Sequence, residues 1–199
     1  MKGIPPHARG MRIGLYGGSF NPPHAAHVMV SRRALRRLRL DRVWWLVTPG
    51  NPLKDNGKLP PLAARMAQAR ALLADPRILP TDVEARLGTR FTADTVAALQ
   101  RLCPGVHFVW IMGGDGLADL HRWRNWRGLA GRVPIAVIDR PGTTHRAVRM
   151  PAALRLARSR IDEADAPTLA LRHPPAWTLL HGPRSRLSSS ALRRTEQRA

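Results

Sequence analysis

Met11-Arg12-Ile13-Gly14-Leu15-Tyr16-Gly17-Gly18-Ser19-Phe20-Asn21-Pro22-Pro23-His24-Ala25-Ala26-His27 runs from a short apolar segment, through a turn dense in Gly and Pro, into a segment of helical period. That order predicts a buried strand, a tight turn and a helix N-terminus in close succession. Gly17 and Gly18 put no Cβ between the backbone and a ligand, and a helix N-terminus offers unpaired N–H groups and a partial positive charge to an anion. Pro22 and Pro23 are barred from a helix interior but suit its first turn. His24 and His27, three apart, share a face once the helix has begun. The turn has neither the Lys-Ser/Thr ending of a P-loop nor a G-x-G-x-x-G fingerprint. A zinc pair and two ordinary surface histidines remain as other readings. A structural zinc site needs about four ligands, and the only cysteine is Cys103.

Outward from this stretch the chain alternates. A helix over 25–39 sets Val28, Leu35 and Leu38 on one stripe, with Arg32, Arg33, Arg36 and Arg37 forming a solvated face. Val43-Trp44-Trp45-Leu46-Val47-Thr48 is continuously apolar, as a strand covered on both faces should be, and its two tryptophans read as core. A loop rich in Pro, Gly and Asn over 49–61 follows the carboxyl end of that strand and carries Lys54, either a cation that closes over a phosphate or an exposed solubilising lysine. Leu62, Met66, Ala69 and Leu73 mark a second helix, and a short strand stands near Ile78. Phe91-Thr92-Ala93-Asp94-Thr95 opens a third helix with Thr92 as its cap.

Val106 to Met112 is another buried strand, with Gly113-Gly114-Asp115 at its carboxyl end. There a carboxylate lies beside a nucleotide crevice, able to accept from a ribose hydroxyl or help hold magnesium. Further strands are expected over Pro134–Ile138 and Trp177–Leu180, with a helix over Ala152–Ser159 between them. The pattern predicts an α/β chain with a Rossmann-like, doubly wound parallel sheet: one domain over residues 11–199, behind a loose lead-in over residues 1–10. Near the C-terminus, Ser188, Ser189 and Ser190 suit the cap of a short helix, and Ser189 and Arg193 share its face. Hydroxyls, free N–H groups and a guanidinium together make a second anion site.

Composition narrows the class. No apolar run approaches the roughly 20 residues of a membrane span, and the N-terminus has no signal-peptide core, so a soluble cytoplasmic protein is expected. One cysteine cannot form an internal disulfide, which fits a reducing compartment. The formal charge of +20 taken alone points to a polyanion partner. The basic residues are nearly all arginine, however, with lysine only at 2, 54 and 58, and they are scattered through every segment. That pattern reads as compositional bias, without a specific nucleic-acid partner.

The first motif resembles the signature of the nucleotidyltransferase superfamily, and its longer form, Gly-Gly-Ser-Phe-Asn-Pro-Pro-His-x-x-His, looks like the nicotinate mononucleotide adenylyltransferase branch. Phe91-Thr92-Ala93-Asp94-Thr95 is similar to that branch's Tyr-Thr-x-Asp-Thr, with Phe91 in place of tyrosine. Gly113-Gly114-Asp115 matches its Gly-x-Asp run, with Gly116 lacking the usual polar side chain. Trp123 corresponds to a tryptophan that stacks on the pyridine ring, Trp126 reads as packing, and Arg140 resembles an arginine near the mononucleotide. Leu187-Ser188-Ser189-Ser190-Ala191-Leu192-Arg193 resembles the Ile-Ser-Ser-Thr-x-x-Arg motif that grips the triphosphate tail.

This resemblance implies adenylyl transfer from ATP to nicotinate mononucleotide in NAD biosynthesis. It places ATP against Gly17, Gly18, Ser19, Phe20, His24, His27, Gly113, Asp115, Ser188, Ser189 and Arg193, with His24, His27 and Arg193 catalytic. It places the nicotinate nucleotide against Gly18, Ser19, Asn21, Lys54, Thr92, Asp115, Trp123 and Arg140. No protein metal site is implied; Mg2+ is expected chiefly through the ATP phosphates. The alternatives are another superfamily member, such as a phosphopantetheine adenylyltransferase or a cytidylyltransferase, and a non-catalytic basic nucleic-acid-binding protein. Whether the chain forms a homo-oligomer is left open.

Overall fold

The structure is a computed structural model and describes residues 3–53, 55–139 and 147–182. Six parallel strands form its centre: β1 Arg12–Gly18, β2 Arg42–Val47, β3 Ile78–Thr81, β4 His107–Gly113, β5 Ile135–Ile138 and β6 Trp177–Leu180, in the order β3-β2-β1-β4-β5-β6. The order runs outward in both directions from the β1–β4 pair. That pair is therefore the topological switch point, where the connections leave in opposite directions and open a crevice at the carboxyl ends of the strands. Gly17 and Gly18 close β1 and Gly113 closes β4, so the segments 19–27 and 114–115 leave the carboxyl ends of this pair.

The helices are α1 Ala25–Arg37, α2 Leu62–Leu72, α3 Val83–Leu87, α4 Thr92–Leu102, α5 Gly114–Asp119, α6 Trp126–Ala130 and α7 Pro151–Arg155, with single 3-10 turns after α5 and α7 and a longer 3-10 run over Glu163–Leu171. Side-chain alternation along the strands divides the core into two layers. One face of the sheet buries Leu15, Trp44, Phe108 and Trp110 against α4 and α6. The other buries Val43, Trp45, Val109 and Ile111 against α1 and α2. Trp44 and Trp45 are both fully buried, one in each layer.

Three readings of the sequence need correction. Pro22 and Pro23 precede the helix, because His24 is its N-cap in extended conformation (φ −152°, ψ 169°). Thr92 is the first residue of α4 and Phe91 holds the capping position with no side-chain cap bond. Arg33 does not join Arg32, Arg36 and Arg37 in solvent: it is 6% exposed, with the buried Asp139 after β5 as the strongest compensating charge. Burial pulls its pKa down and the Asp139 carboxylate pulls it back up. Before β1, Ile4 packs against the core and the Gly10 N–H donates to the Gly105 carbonyl at 2.8 Å. Among the described residues no helix is long and apolar enough to cross a membrane.

Candidate active site

The turn after β1 rests on an aromatic floor. Phe20 adopts a left-handed backbone (φ 46°), which costs a non-glycine residue on the order of 1 kcal/mol, and its ring is fully buried. It stacks on Trp45 with centroids 4.6 Å apart and planes 13° from parallel, and Tyr16 meets its edge at 5.7 Å. Stacking of this kind, together with burial of the ring, offsets the backbone cost. Phe20 therefore supports the turn from below, and its ring does not face the crevice. Gly17 has a similar supporting reason. A Cβ there would stand 2.6 Å from Cη2 of Trp110, so the absent side chain admits the indole as well as any ligand.

At the start of α1 the two histidines are linked. The His24 N–H donates to Nδ1 of His27 at 3.1 Å, an arrangement in which an N3 side chain reaches back to the N-cap amide. A ring nitrogen that accepts carries no proton, so neutral His27 holds its hydrogen on Nε2. The rings lie 3.9 Å apart, centroid to centroid, and both are mostly buried. Below them, Ser31 accepts the Trp45 indole N–H at 2.7 Å and donates to the His27 carbonyl at 3.0 Å.

Beside this turn is a cavity of about 490 Å3 whose lining includes Gly17, Gly18 and Ser19 together with Phe91, Thr92, Trp110 and Trp123. Arg90, Arg122 and Arg124 also line it, and the Arg124 guanidinium lies 4.6 Å from the centre of the Phe91 ring. Of the residues read from the sequence, Gly17, Gly18, Ser19, Thr92 and Trp123 thus share one wall-to-wall space. Asn21 is half-buried in the turn, His24 and His27 stand at the N-terminus of α1, and Gly113 caps α5, whose second residue is the exposed Asp115. Lys54, Arg140, Ser188, Ser189 and Arg193 lie outside the described residues.

Two residues that shape the site escaped the sequence reading. Glu84, on α3, is 8% exposed and lines both this cavity and an adjoining one of about 400 Å3. Burial pushes its carboxyl up to about 7, against the smaller opposing effect of hydrogen bonds from Thr48 and Thr95. Arg65, on α2, is 1% exposed and donates from Nε to the Pro60 carbonyl at 2.9 Å and from Nη1 to the carbonyls of Ser19 and Thr48, both at 2.8 Å. Its spacing gave the signal: Arg65 stands three residues after Leu62 and four before Ala69, on the stripe that faces the sheet. Among the described residues no group of three His, Cys, Asp or Glu is placed to hold a metal ion.

The cytidylyltransferase-like family matches residues 15–195. A probable nicotinate-nucleotide adenylyltransferase of Methylorubrum extorquens is 65% identical over 183 residues, covering 92% of this chain and 99% of that one. Its counterpart in Brucella abortus is 53% identical, covering 94% of this chain and 96% of that one. Among solved structures, the Plasmodium falciparum nicotinic acid mononucleotide adenylyltransferase complexed with NaAD superposes with a TM-score of 0.69 at 21% identity, covering 92% of this chain and 83% of that one, which supports the fold alone. Matched by the family along nearly its whole length and sharing most of its residues with relatives of one name, the chain belongs to the cytidylyltransferase-like family, in its nicotinate-nucleotide adenylyltransferase branch.

Proposed function

We propose that this chain transfers the adenylyl group of ATP to the phosphate of nicotinate mononucleotide, giving deamido-NAD and pyrophosphate. The carrying observation is the cavity at the switch point, whose lining joins the Gly17-Gly18-Ser19 backbone, suited to phosphate, with Phe91, Thr92 and Trp123, suited to an aromatic ring, in a chain 65% identical to a protein named for this reaction. We assign the nicotinate nucleotide to Gly18, Ser19, Asn21, Thr92 and Trp123, with Lys54 and Arg140 contributing from outside the described residues.

The attacking group is a phosphate monoester whose second pKa is near 6, so at pH 7 it is already largely a dianion and needs no general base. The protein's work is to hold two anions in line and to stabilise charge on the α-phosphate and the departing pyrophosphate. We assign that work to His24 and His27, whose N–H groups donate to ATP phosphates, and to Ser188, Ser189 and Arg193 on the triphosphate tail. β6 lies three strand positions from β1, roughly 14 Å. Eight residues separate Leu180 from Ser189, more than enough extended chain to cover that span.

We assign Mg2+ to the triphosphate, where phosphate oxygens and water would hold it chiefly, with Asp115, the exposed second residue of α5, contacting the nucleotide or helping to hold the ion. When bound, the ion neutralises phosphate charge and polarises the α-phosphate. Pyrophosphate release from ATP, measured with nicotinate mononucleotide, nicotinamide mononucleotide and phosphopantetheine offered separately, tests the reading. Turnover with nicotinate mononucleotide is expected. Turnover with phosphopantetheine alone would move the chain to another branch, and a lack of turnover with salt-sensitive polyanion binding would favour a nucleic-acid-binding role.

A further inference from the structure

We propose that Arg65 is a positioning residue for this reaction: its buried guanidinium sets the carbonyls of the glycine turn and the adjoining strand end, and its charge is neutralised only when a phosphate-bearing substrate arrives. The inference builds on the reading above, in which that turn receives phosphate.

Three observations carry it. First, the guanidinium joins segments far apart in sequence: the turn at Ser19, the end of β2 at Thr48, with Pro49 at a longer 3.5 Å, and the loop end at Pro60. Only a planar fork with donors in several directions does this; an ammonium on a flexible stem reaches one or two of these carbonyls at once. Second, every partner is a neutral carbonyl. Among the described residues no carboxylate pairs with Arg65, and desolvation alone lowers its pKa. A buried cation with no counter-charge is costly, and carbonyl dipoles reduce that cost without cancelling the charge. An anion in the cavity that Ser19 and Thr48 line, the two residues whose carbonyls Arg65 holds, removes the remainder.

Third, the geometry of a planar trans peptide links the guanidinium to the crevice. The N–H and C=O of one peptide point in opposite directions. With the Ser19 carbonyl drawn inward to Nη1, the Phe20 N–H is aimed away from the interior. Phe20 makes no main-chain hydrogen bond through that N–H among the described residues. The left-handed φ of Phe20 is the backbone setting that this aim requires, and Arg65 and the Trp45 stack hold it there together.

The test uses the full chain with Arg65→Lys and Arg65→Met, assayed for pyrophosphate release and for the rise in Tm on adding inorganic pyrophosphate with Mg2+. The expected result is a folded Arg65→Lys whose kcat/KM falls at least 30-fold and whose pyrophosphate-induced rise in Tm is less than half that of wild type. A purely structural role would lower the Tm of the ligand-free protein and leave both ligand-dependent readouts unchanged. A folded variant within threefold of wild type in kcat/KM, with the full ligand-induced rise, overturns the proposal. Should neither variant fold, the wild-type protein decides by 15N NMR: pyrophosphate must shift the Arg65 Nε–H resonance, and an unmoved resonance at saturation overturns it equally. Wild-type turnover is the control. If wild type releases no pyrophosphate with any acceptor, the assigned reaction fails, while the Tm and NMR measurements still judge Arg65.

Discussion

Trp123 meets Trp110 edge to face, with ring centroids 6.0 Å apart and planes at 85°. Trp110 is buried in the sheet layer, whereas Trp123 is half-buried on the cavity wall. The contact orients Trp123, which also lines the cavity.

A half-buried, fixed indole on the wall of a nucleotide cavity suits stacking on a planar ring. Stacking of a base on an aromatic side chain contributes about 1–3 kcal/mol. Trp123→Ala should therefore raise the KM for nicotinate mononucleotide by about 5- to 150-fold with a smaller change in kcat and in the ATP KM, and Trp123→Phe should recover most of the loss. Steady-state kinetics with each substrate varied in turn is the check. An unchanged mononucleotide KM in Trp123→Ala would reassign the indole to packing.

The histidines separate by a second measurement. His24→Ala should lower kcat by on the order of 10²- to 10³-fold while the fold persists, the usual loss for one transition-state donor. His27 also accepts from the His24 amide, so His27→Ala should lose about 1 kcal/mol of stability in addition to activity. His27→Gln keeps an acceptor at N3 and should regain that stability without regaining turnover. Urea melts beside kcat resolve the two effects, and full activity in His27→Gln would exclude the imidazole from the chemistry.

Glu84 makes stability fall as pH rises. Its carboxyl reverts toward 4.5 in the unfolded chain and stands at about 7 in the fold, so between those values the native state holds a proton that the unfolded state has released. The contribution of the neutral acid is fully present below pH 4.5 and is lost as pH climbs through 7, a change of about 3 kcal/mol at ~1.4 kcal/mol per pH unit. Asp75 and Asp82, whose carboxyls are held low by Arg77 and Arg86, act in the opposite sense at acid pH. The difference between wild type and Glu84→Gln is therefore the quantity to measure. Melts at pH 5 and pH 8 should show Glu84→Gln gaining on wild type at the higher pH, and parallel curves would contradict the buried-acid account.

Gly17→Ala should cost about 1–3 kcal/mol, because the new methyl meets Trp110 within its van der Waals radius and the ring is packed too firmly to move freely. Trp110→Leu makes room. The double variant should thus be less destabilised than the sum of the two single variants, a coupling of at least about 0.5 kcal/mol for residues in contact. Strict additivity in denaturant melts would show that the glycine is not there to admit the indole.

Much of this was legible from residues alone, for identifiable reasons. Runs such as Val43 to Val47 are apolar because a parallel sheet is covered on both faces, so the strands announced themselves by composition. β6 followed from the apolar run at Trp177 and the start of α1 from the helical period that opens at Ala25, although the prolines assigned to its first turn lie before it. Thr92 misled because a hydroxyl at a helix start is usually a cap, whereas here the chain turns one residue earlier. Arg33 misled because four closely spaced arginines resemble a solvated face, and the groups around the buried one, Asp139 and Gly182 among them, are distant in sequence. Glu84 was hidden for the same reason: nothing local distinguishes a carboxylate that will be desolvated between two cavities.

Ser31 has a mechanical consequence. One fully buried hydroxyl satisfies both the Trp45 indole N–H and the His27 carbonyl, so α1 cannot slip or rotate by a residue against β2 without stranding a donor in a dry interior. The helix bearing the histidine pair is accordingly a fixed jaw.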